Sequence, residues 1–247
     1  MKIATWNVNG IRARAQQLAE WREREEPDVV CLQELKAEPS QVPDVCHHAG
    51  YEAFWHGRRA YSGVSLQVRK GLFDPAPRFS HPDFDMESRI VQADAGNLIV
   101  ASVYVPNGGK DYDAKISFMR QLVAWAEARS REGREVILAG DMNITRSDLD
   151  VHPKERKAGV IGQREEERVL FEALLGDHLV DVTRALAPDD PALFTWWPPW
   201  RSMRQRNIGW RIDYILASPP LAARATRCAV ASDVGTSDHA PIVMELP

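Results

Sequence analysis

The chain has 247 residues, 44% hydrophobic and 27% charged, with a formal net charge of −4. No apolar run is long enough to span a bilayer, and "MKIATWNVNG" at the N-terminus lacks the apolar stretch of a signal peptide, so membrane and secreted readings are set aside. Cys31, Cys46 and Cys228 are widely spaced with no C-x-x-C pair, which reads as reduced thiols of a cytoplasmic protein rather than a disulfide frame or a zinc site.

Taken in chain order, "KIATWN" alternates as a short strand. "IRARAQQLAEWREREE" has helical spacing through Ile11, Ala15, Leu18 and Trp21 until Pro27 stops it. "DVVCLQE" reads as a buried strand, and "SQVPDVCHHAG" as a short helix closed by Gly50. Strand patterns follow near 51–56, 63–69, 89–95 and 97–105. "DYDAKISFMRQLVAWAEARSRE" is the strongest helix, with Ile116, Met119, Leu122, Val123 and Ala126 on one face. A strand at 135–140, a polar loop and a helix through "QREEERVLFEALLG" come next. The last third carries strand patterns near 193–197, 211–217, 225–231 and 241–246. There is no repeat, low-complexity tract or linker, so a single domain over 1–247 is expected. Strands outnumber helices and helices recur between them, which suits two packed mixed sheets with helices outside, an α/β sandwich. A doubly wound nucleotide-binding fold would want G-x-G-x-x-G after the first strand, and "WNVNGIRA" does not supply it.

Several strands end in groups that cannot stay buried unpaired: Asn7 and Asn9, Glu34, Asp141 and Asn143, Asp213, and Asp238 with His239. In "EVILAGDMNIT" an apolar strand delivers Asp141 and Asn143 two residues apart, the spacing that puts side chains on one side of a strand. Oxygen donors with one imidazole suit Mg²⁺ or Mn²⁺ better than zinc. Each end also has a plain structural reading. Asn7 and Asn9 could build the turn into the helix, and Glu34 could pair with Lys36. "GDMN" could be an Asx turn, Asp213 a partner of Arg211 or Tyr214, and Asp238-His239 an ordinary turn before the final strand. One shared site explains all five ends at once.

A second signal lies in "WWPPWRSMRQRNIGWR", Trp196 to Arg211, which holds half of the eight tryptophans together with Arg201, Arg204, Arg206 and Arg211 and no acid. Aromatics interleaved with arginines make a surface for stacking and phosphate contact despite the acidic total. The alternative is a solvated loop flanked by core tryptophans, which suits Trp197 best.

The motifs "TWNVNGIRA", "CLQELK", "YSGVSL", "VYVPNGG", "GDMNIT", "GWRIDYIL" and "SDHAPI" run in order from end to end. Together they resemble the exonuclease III family of apurinic/apyrimidinic endonucleases, within the endonuclease/exonuclease/phosphatase superfamily. The resemblance implies a four-layer α/β sandwich, two packed mixed sheets flanked by helices. It implies a DNA repair nuclease that hydrolyses the phosphodiester 5′ to abasic sites in duplex DNA and trims 3′ ends, with Mg²⁺ as cofactor and Mn²⁺ able to replace it. Its expected partner is double-stranded DNA with abasic sites or blocked 3′ ends, and its expected state a monomer. By the same resemblance Glu34 is the main metal carboxylate, with Asn7, Asp238 and His239 close to the ion. Asp141 and Asn143 lie across the scissile phosphate, where either a second metal or the attacking water belongs. Asp213 and His239 form a carboxylate–imidazole pair, and Tyr104 and Asn107 give hydrogen bonds to the phosphate. Whether tyrosine, aspartate or histidine is the base stays open. Trp196, Trp210 and Ile212 match a pocket for a flipped base-free sugar. Arg12, Tyr61 and Lys110 match backbone-contacting or duplex-inserting positions, and Arg204 is expected to contact phosphate from the Trp/Arg loop. Three positions depart from some relatives: Asn9 for a metal-side aspartate, Trp196 for phenylalanine, and Lys110 for arginine or glutamine. The rival functions are a lipid or inositol phosphoesterase on the same scaffold and a DNA-binding module without catalysis.

Overall fold

The computed structural model describes residues 1–247. Its first half opens with strand β1 (Lys2–Asn7), helix α1 (Ile11–Glu25) and strand β2 (Val29–Gln33). A hairpin follows, β3 (Tyr51–Arg58) with β4 (Tyr61–Arg69), and then β5 (Arg78–Ser80), β6 (Ile90–Ala95) and β7 (Leu98–Tyr104). Helix α2 (Tyr112–Arg131) leads to β8 (Glu135–Asp141), α3 (Glu165–Leu175), β9 (Val180–Asp181) and α4 (Val182–Leu186). The chain closes with β10 (Asp213–Ala217), α5 (Pro219–Ala222), β11 (Arg227–Val230) and β12 (Ile242–Glu245).

The strands form two six-stranded sheets, ordered β11-β12-β1-β2-β4-β3 and β5-β6-β7-β8-β10-β9. In each sheet one central pair is parallel, β1 with β2 and β7 with β8, and the flanking pairs are antiparallel. Each parallel pair is joined through a helix, α1 or α2, because parallel neighbours need a crossover connection. The two sheets therefore repeat one pairing scheme.

The sheets pack face to face over a core drawn from both, including Ile3, Val29, Leu66, Val100, Ile137 and Ile215. Outside one sheet, Ile11, Leu18 and Trp21 of α1 pack on Ala4, Trp6, Val30 and Leu32. Outside the other, Phe118, Met119 and Leu122 of α2 and Phe171 and Leu174 of α3 cover Ile99, Val136 and Leu138. This is the four-layer α/β sandwich expected above. Central strands carry apolar residues on both faces because both faces are covered. Gln33 pins the sheets together in the core, its Nε2 donating to Ser102 Oγ at 3.1 Å and to Thr5 Oγ1 at 3.1 Å.

Three local expectations change. "SQVPDVCHHAG" forms two separate 3-10 turns, Pro39–Gln41 and Asp44–Cys46, rather than one helix. Pro43 lies between them, lacks an N–H and holds Val42 extended at φ −69° and ψ 125°. Residues 193–197 make only isolated bridges, from Trp196 to Trp210 and to His239, because Pro198 and Pro199 cannot continue a ladder. The short elements β5, β9, α4 and α5 span too few residues to show a hydrophobic period. The three cysteines are free and buried, and no helix is long and apolar enough to cross a membrane.

Gly140 sets the closeness of β7 and β8 just before the site. A Cβ there would lie 1.9 Å from the Val103 carbonyl oxygen, which no side chain can tolerate. Gly140→Ala is expected to cost about 2–3 kcal/mol of stability by overpacking backbone on backbone, read as a lowered midpoint in denaturant unfolding with an unchanged slope.

Candidate active site

The two parallel pairs end at the same edge of the sandwich, and their antiparallel neighbours begin there. In the second sheet the register sets Tyr104 and Asp213 on either side of Asp141. In the first sheet β1 ends at Asn7 and β2 runs into Glu34. These ends line or underlie a cavity of about 410 Å³ whose walls include Asn9, Glu34, Lys36, Tyr104, Asn107, Asn143, Ile161, Trp196, Trp210, Ile212, Asp238 and His239.

Glu34 sits just past β2 in the left-handed region, with φ 53°, followed at Lys36 by φ 50°. Such angles cost about 1 kcal/mol or more for residues of this kind and persist only when neighbours impose them. The neighbours here are backbone groups of two motifs. The N–H of Gly10 donates to Glu34 O at 2.7 Å, and the N–H groups of Leu35 and Lys36 donate to Gly63 O and Ser62 O at 3.0 and 2.8 Å. "NVNG" and "YSGV" thus hold the carboxylate at the cavity. Glu34 also pairs with Lys36, Nζ to Oε2 at 2.8 Å, so the plain structural reading and the cavity position both hold.

Asn7 bridges the sheets. Its Nδ2 donates to Glu34 Oε1 at 3.1 Å and to Asp141 Oδ2 at 2.8 Å. Asn143 reaches the same group by a turn rather than by strand alternation. Its φ is 51°, its N–H donates to Asp141 Oδ1 at 2.8 Å, and its Nδ2 donates to Val105 O at 2.9 Å. The Asx turn at "GDMN" is real, and it is what aims both side chains at one place.

His239 faces two carboxylates. Nδ1 lies 2.9 Å from Asp213 Oδ2, and Nε2 lies 4.0 Å from Asp141 Oδ2. Asp213 therefore partners the imidazole, while Arg211 is buried against Asp150 and Asp181, with Nε to Asp150 Oδ1 at 2.7 Å. Asp238 is held by Trp196 Nε1 at 2.9 Å and Asn9 Nδ2 at 2.7 Å, which ties one cavity wall to the acidic cluster.

The electrostatics follow from this crowding. Burial and the neighbouring Asp213 and Glu34 raise Asp141 to about 8. Burial opposes charge on His239, but Asp213, Asp141 and Asp238 outweigh it and push its pKa up to about 10. Burial and the charges of Glu34 and Asp141 hold the Tyr104 phenol well above its ordinary value. Donor atoms of Glu34, Asp141 and His239 fall within 4.8 Å of one another. Carboxylates this close and this buried fit a hard divalent cation, which would offset their repulsion.

Residues not singled out from the sequence support this floor. Lys115 of α2 is fully buried beside Glu167 of α3, and its Nζ donates to Asn143 O at 2.7 Å and Asn107 O at 3.4 Å. Arg89 lies over Tyr104, 4.6 Å from the ring centre, and its NH2 donates to the Tyr61 hydroxyl at 3.1 Å. The sequence signal for Lys115 was a cation on the apolar face of α2; Arg89 had none.

The expected DNA-facing residues divide. Tyr61, Asn107, Lys110 and Arg89 line a small hollow of about 100 Å³ that shares Asn107 with the cavity. On the other side, a depression of about 380 Å³ lined by Arg14, Trp197 and Arg204 shares Asn9 and Asp238. Arg12 is exposed on the first turn of α1 but lines neither hollow nor cavity. Two arginines of the Trp/Arg loop are occupied. Arg211 is buried in the ion cluster above. The Arg204 guanidinium donates to the carbonyls of Ser232, Ser237 and Val234 and stacks over Trp197 at 4.9 Å, so it braces the loop before Asp238. Arg201 and Arg206 remain exposed, as does Trp200.

Residues 4–239 match the profile of the Endonuclease/Exonuclease/phosphatase family. The chain belongs to this family. It is 32% identical to exodeoxyribonuclease III of Haemophilus influenzae over 99% of both chains. Among solved structures it is similar to an AP endonuclease from Archaeoglobus fulgidus, at a TM-score of 0.88 and 29% identity over 100% of this chain and 99% of that one. It is equally similar to the 3′-5′ exonuclease NExo from Neisseria meningitidis, at a TM-score of 0.89 and 32% identity over the same shares.

The raised His239 pKa carries a sign that can be checked. Folding favours the imidazolium, so its stabilisation is complete below the ordinary value of about 6.5 and is lost as pH rises through about 10. In metal-free protein the His239 ring resonances should not titrate near neutrality. In Asp213→Asn the midpoint should fall toward the ordinary value, as read by NMR.

Proposed function

We propose that this chain is a divalent-metal-dependent DNA repair nuclease that incises the backbone 5′ to abasic sites and acts on 3′ ends. The observation that carries this reading is the junction of two features at one cavity. Glu34, Asp238 and His239 line its floor, with Asp141 and Asp213 against the imidazole behind them, and the Trp196–Trp210 pair forms its wall, ring centres 5.5 Å apart and edge to face. The first feature suits phosphodiester hydrolysis, and the second suits recognition of a nucleotide turned out of a duplex.

Mg²⁺ is the fitting ion, with Mn²⁺ able to replace it, held by Glu34 and Asp141 with Asn7, Asn143, Asp238 and His239 close by. When bound, it supplies positive charge to the phosphoryl oxygens as negative charge builds. The protein's own groups do the rest. His239, kept charged by Asp213, donates to a phosphoryl oxygen and remains a poor base at neutral pH. Tyr104 stays a phenol, because burial and nearby carboxylates oppose its ionisation, and it too donates. Asp141 is raised to about 8 without a cation, and a bound cation that lowers this value would leave it the carboxylate able to take the proton from the attacking water. Asn143 and Asn107 add neutral donors without adding repulsion.

Duplex binding follows the linked depressions on either side of the cavity. Tyr61 and Lys110 bear on the backbone from one hollow, and Arg14 with the exposed Arg201 and Arg206 from the other side. Arg12 meets phosphate from α1. The net charge of −4 makes this local basic surface, rather than the whole protein field, the source of affinity. We take the chain to act as a monomeric single domain.

Two experiments test the reading. Glu34→Gln should raise the Mg²⁺ concentration for half-maximal cleavage of an abasic-analogue duplex on the order of tenfold, with activity partly restored at high Mg²⁺. An unaltered Mg²⁺ curve removes Glu34 from the ligand set. Trp210→Ala should open the pocket wall, so cleavage of abasic duplex falls relative to incision at intact positions by on the order of tenfold. An equal fall on both substrates would make Trp210 a stacking platform instead, and preference for inositol phosphates over duplex would replace the nuclease reading.

A further inference from the structure

Outside the cavity, one other set of side chains has the donor atoms of a metal centre. His56 lies on β3, and His81 and Asp85 follow β5, with one ligand atom from each within 4.8 Å of the others. His56 Nε2 meets Asp85 Oδ2 at 2.7 Å. The His81 ring stacks on His56 with centroids 4.8 Å apart and planes 8° apart.

The carboxylate is held in place from behind. Asp85 Oδ1 accepts the backbone N–H of Arg89 at 2.8 Å and of Ile90 at 3.0 Å, which leaves Oδ2 aimed at the imidazoles. Metal-binding side chains are commonly oriented by hydrogen bonds of this kind on their other polar atom. His56 is fixed by strand pairing opposite Val64. His81 is exposed and its ring makes no hydrogen bond, so no bonded partner fixes it in the stacked position. A proton shared between His56 and Asp85 would account for two of the three residues and leave the second imidazole without a role.

We propose that His56, His81 and Asp85 form a second metal site, separate from the catalytic cavity, that takes a borderline transition ion such as Zn²⁺. Two imidazole nitrogens and one carboxylate suit Zn²⁺, Co²⁺ or Ni²⁺, whereas Mg²⁺ prefers oxygen donors throughout. Three protein ligands leave room for water to complete the shell. The ion takes the place of the proton between His56 and Asp85, so the imidazoles bind in their neutral form. Its occupancy ties β3 to the segment that anchors Arg89. Because Arg89 lies over Tyr61 and Tyr104, at 5.4 and 4.6 Å from the ring centres, that segment also supports one side of the cavity.

The test is a calorimetric Zn²⁺ titration of the full chain in excess Mg²⁺, comparing wild type with His81→Gln and His56→Gln. Wild type should bind one more equivalent than either variant, or bind that equivalent more than about tenfold tighter. His81→Gln alters an exposed, unbonded ring and should leave the circular dichroism spectrum unchanged, so it remains informative even if His56→Gln unfolds. In wild type, Zn²⁺ should shift the ring-nitrogen resonances of His56 and His81 together. Equal stoichiometry and affinity in wild type and His81→Gln would overturn the proposal, as would shifts confined to His239.

Discussion

A carboxylate buried to 1% exposure, as Asp141 is, would cost several kcal/mol if ionised and unmet, and without a cation its pKa rises to about 8. Asp141 cannot move away from this cost, since the register of β7, β8 and β10 places it between Tyr104 and Asp213. Everything around it answers the same demand. Asn7 and Asn143 donate hydrogen bonds, His239 stays protonated, and the remaining negative charge of Glu34, Asp213 and Asp238 makes the site one for a cation. The chemistry proposed for the cavity follows from that imbalance rather than from any single residue.

The imbalance is sustained by the scaffold. Two sheets with the same pairing scheme bring the ends of β1, β2, β7 and β8 to one edge, where loops need not extend either sheet. The left-handed backbone at Glu34 is a conformation that residue does not prefer, whereas at Asn143 it is one asparagine tolerates. Both loops are held by neighbouring motifs: the Gly10 N–H donates to Glu34 O and the Ser62 and Gly63 carbonyls accept from Lys36 and Leu35 in the first, and Lys115 Nζ donates to Asn143 O in the second. Lys115 is itself a buried cation made tolerable by Glu167, so the ion pair beneath the site and the carboxylates within it are parts of one charge balance.

The same logic separates the arginines of the Trp/Arg loop. Composition alone makes Arg201, Arg204, Arg206 and Arg211 equivalent. Arg211 lies under the wall and neutralises Asp150 and Asp181, while Arg204 spends its donors on three carbonyls before Asp238. Arg201 and Arg206 stay exposed.

The sequence by itself determined the class of fold and pointed to a set of polar residues that the structure gathers at one edge. Buried strands must be apolar, so a polar residue at a strand end stands out, and Asn7, Glu34, Asp141, Asp213 and His239 were legible for that reason. The long helices were legible from their period, whereas the two-residue β9 and the split turns around Pro43 carried too little pattern. The Asp213–His239 pair was expected from the resemblance, though the residues alone left Arg211 and Tyr214 open as partners. Tertiary structure alone decided the pairing of Asp238 with Trp196 and the place of Lys115 beneath Asn143. These contacts join residues 26 to 42 positions apart or lie between separate layers. Partner choice there depends on sheet register and on how two sheets face each other, and no local spacing in the chain encodes either.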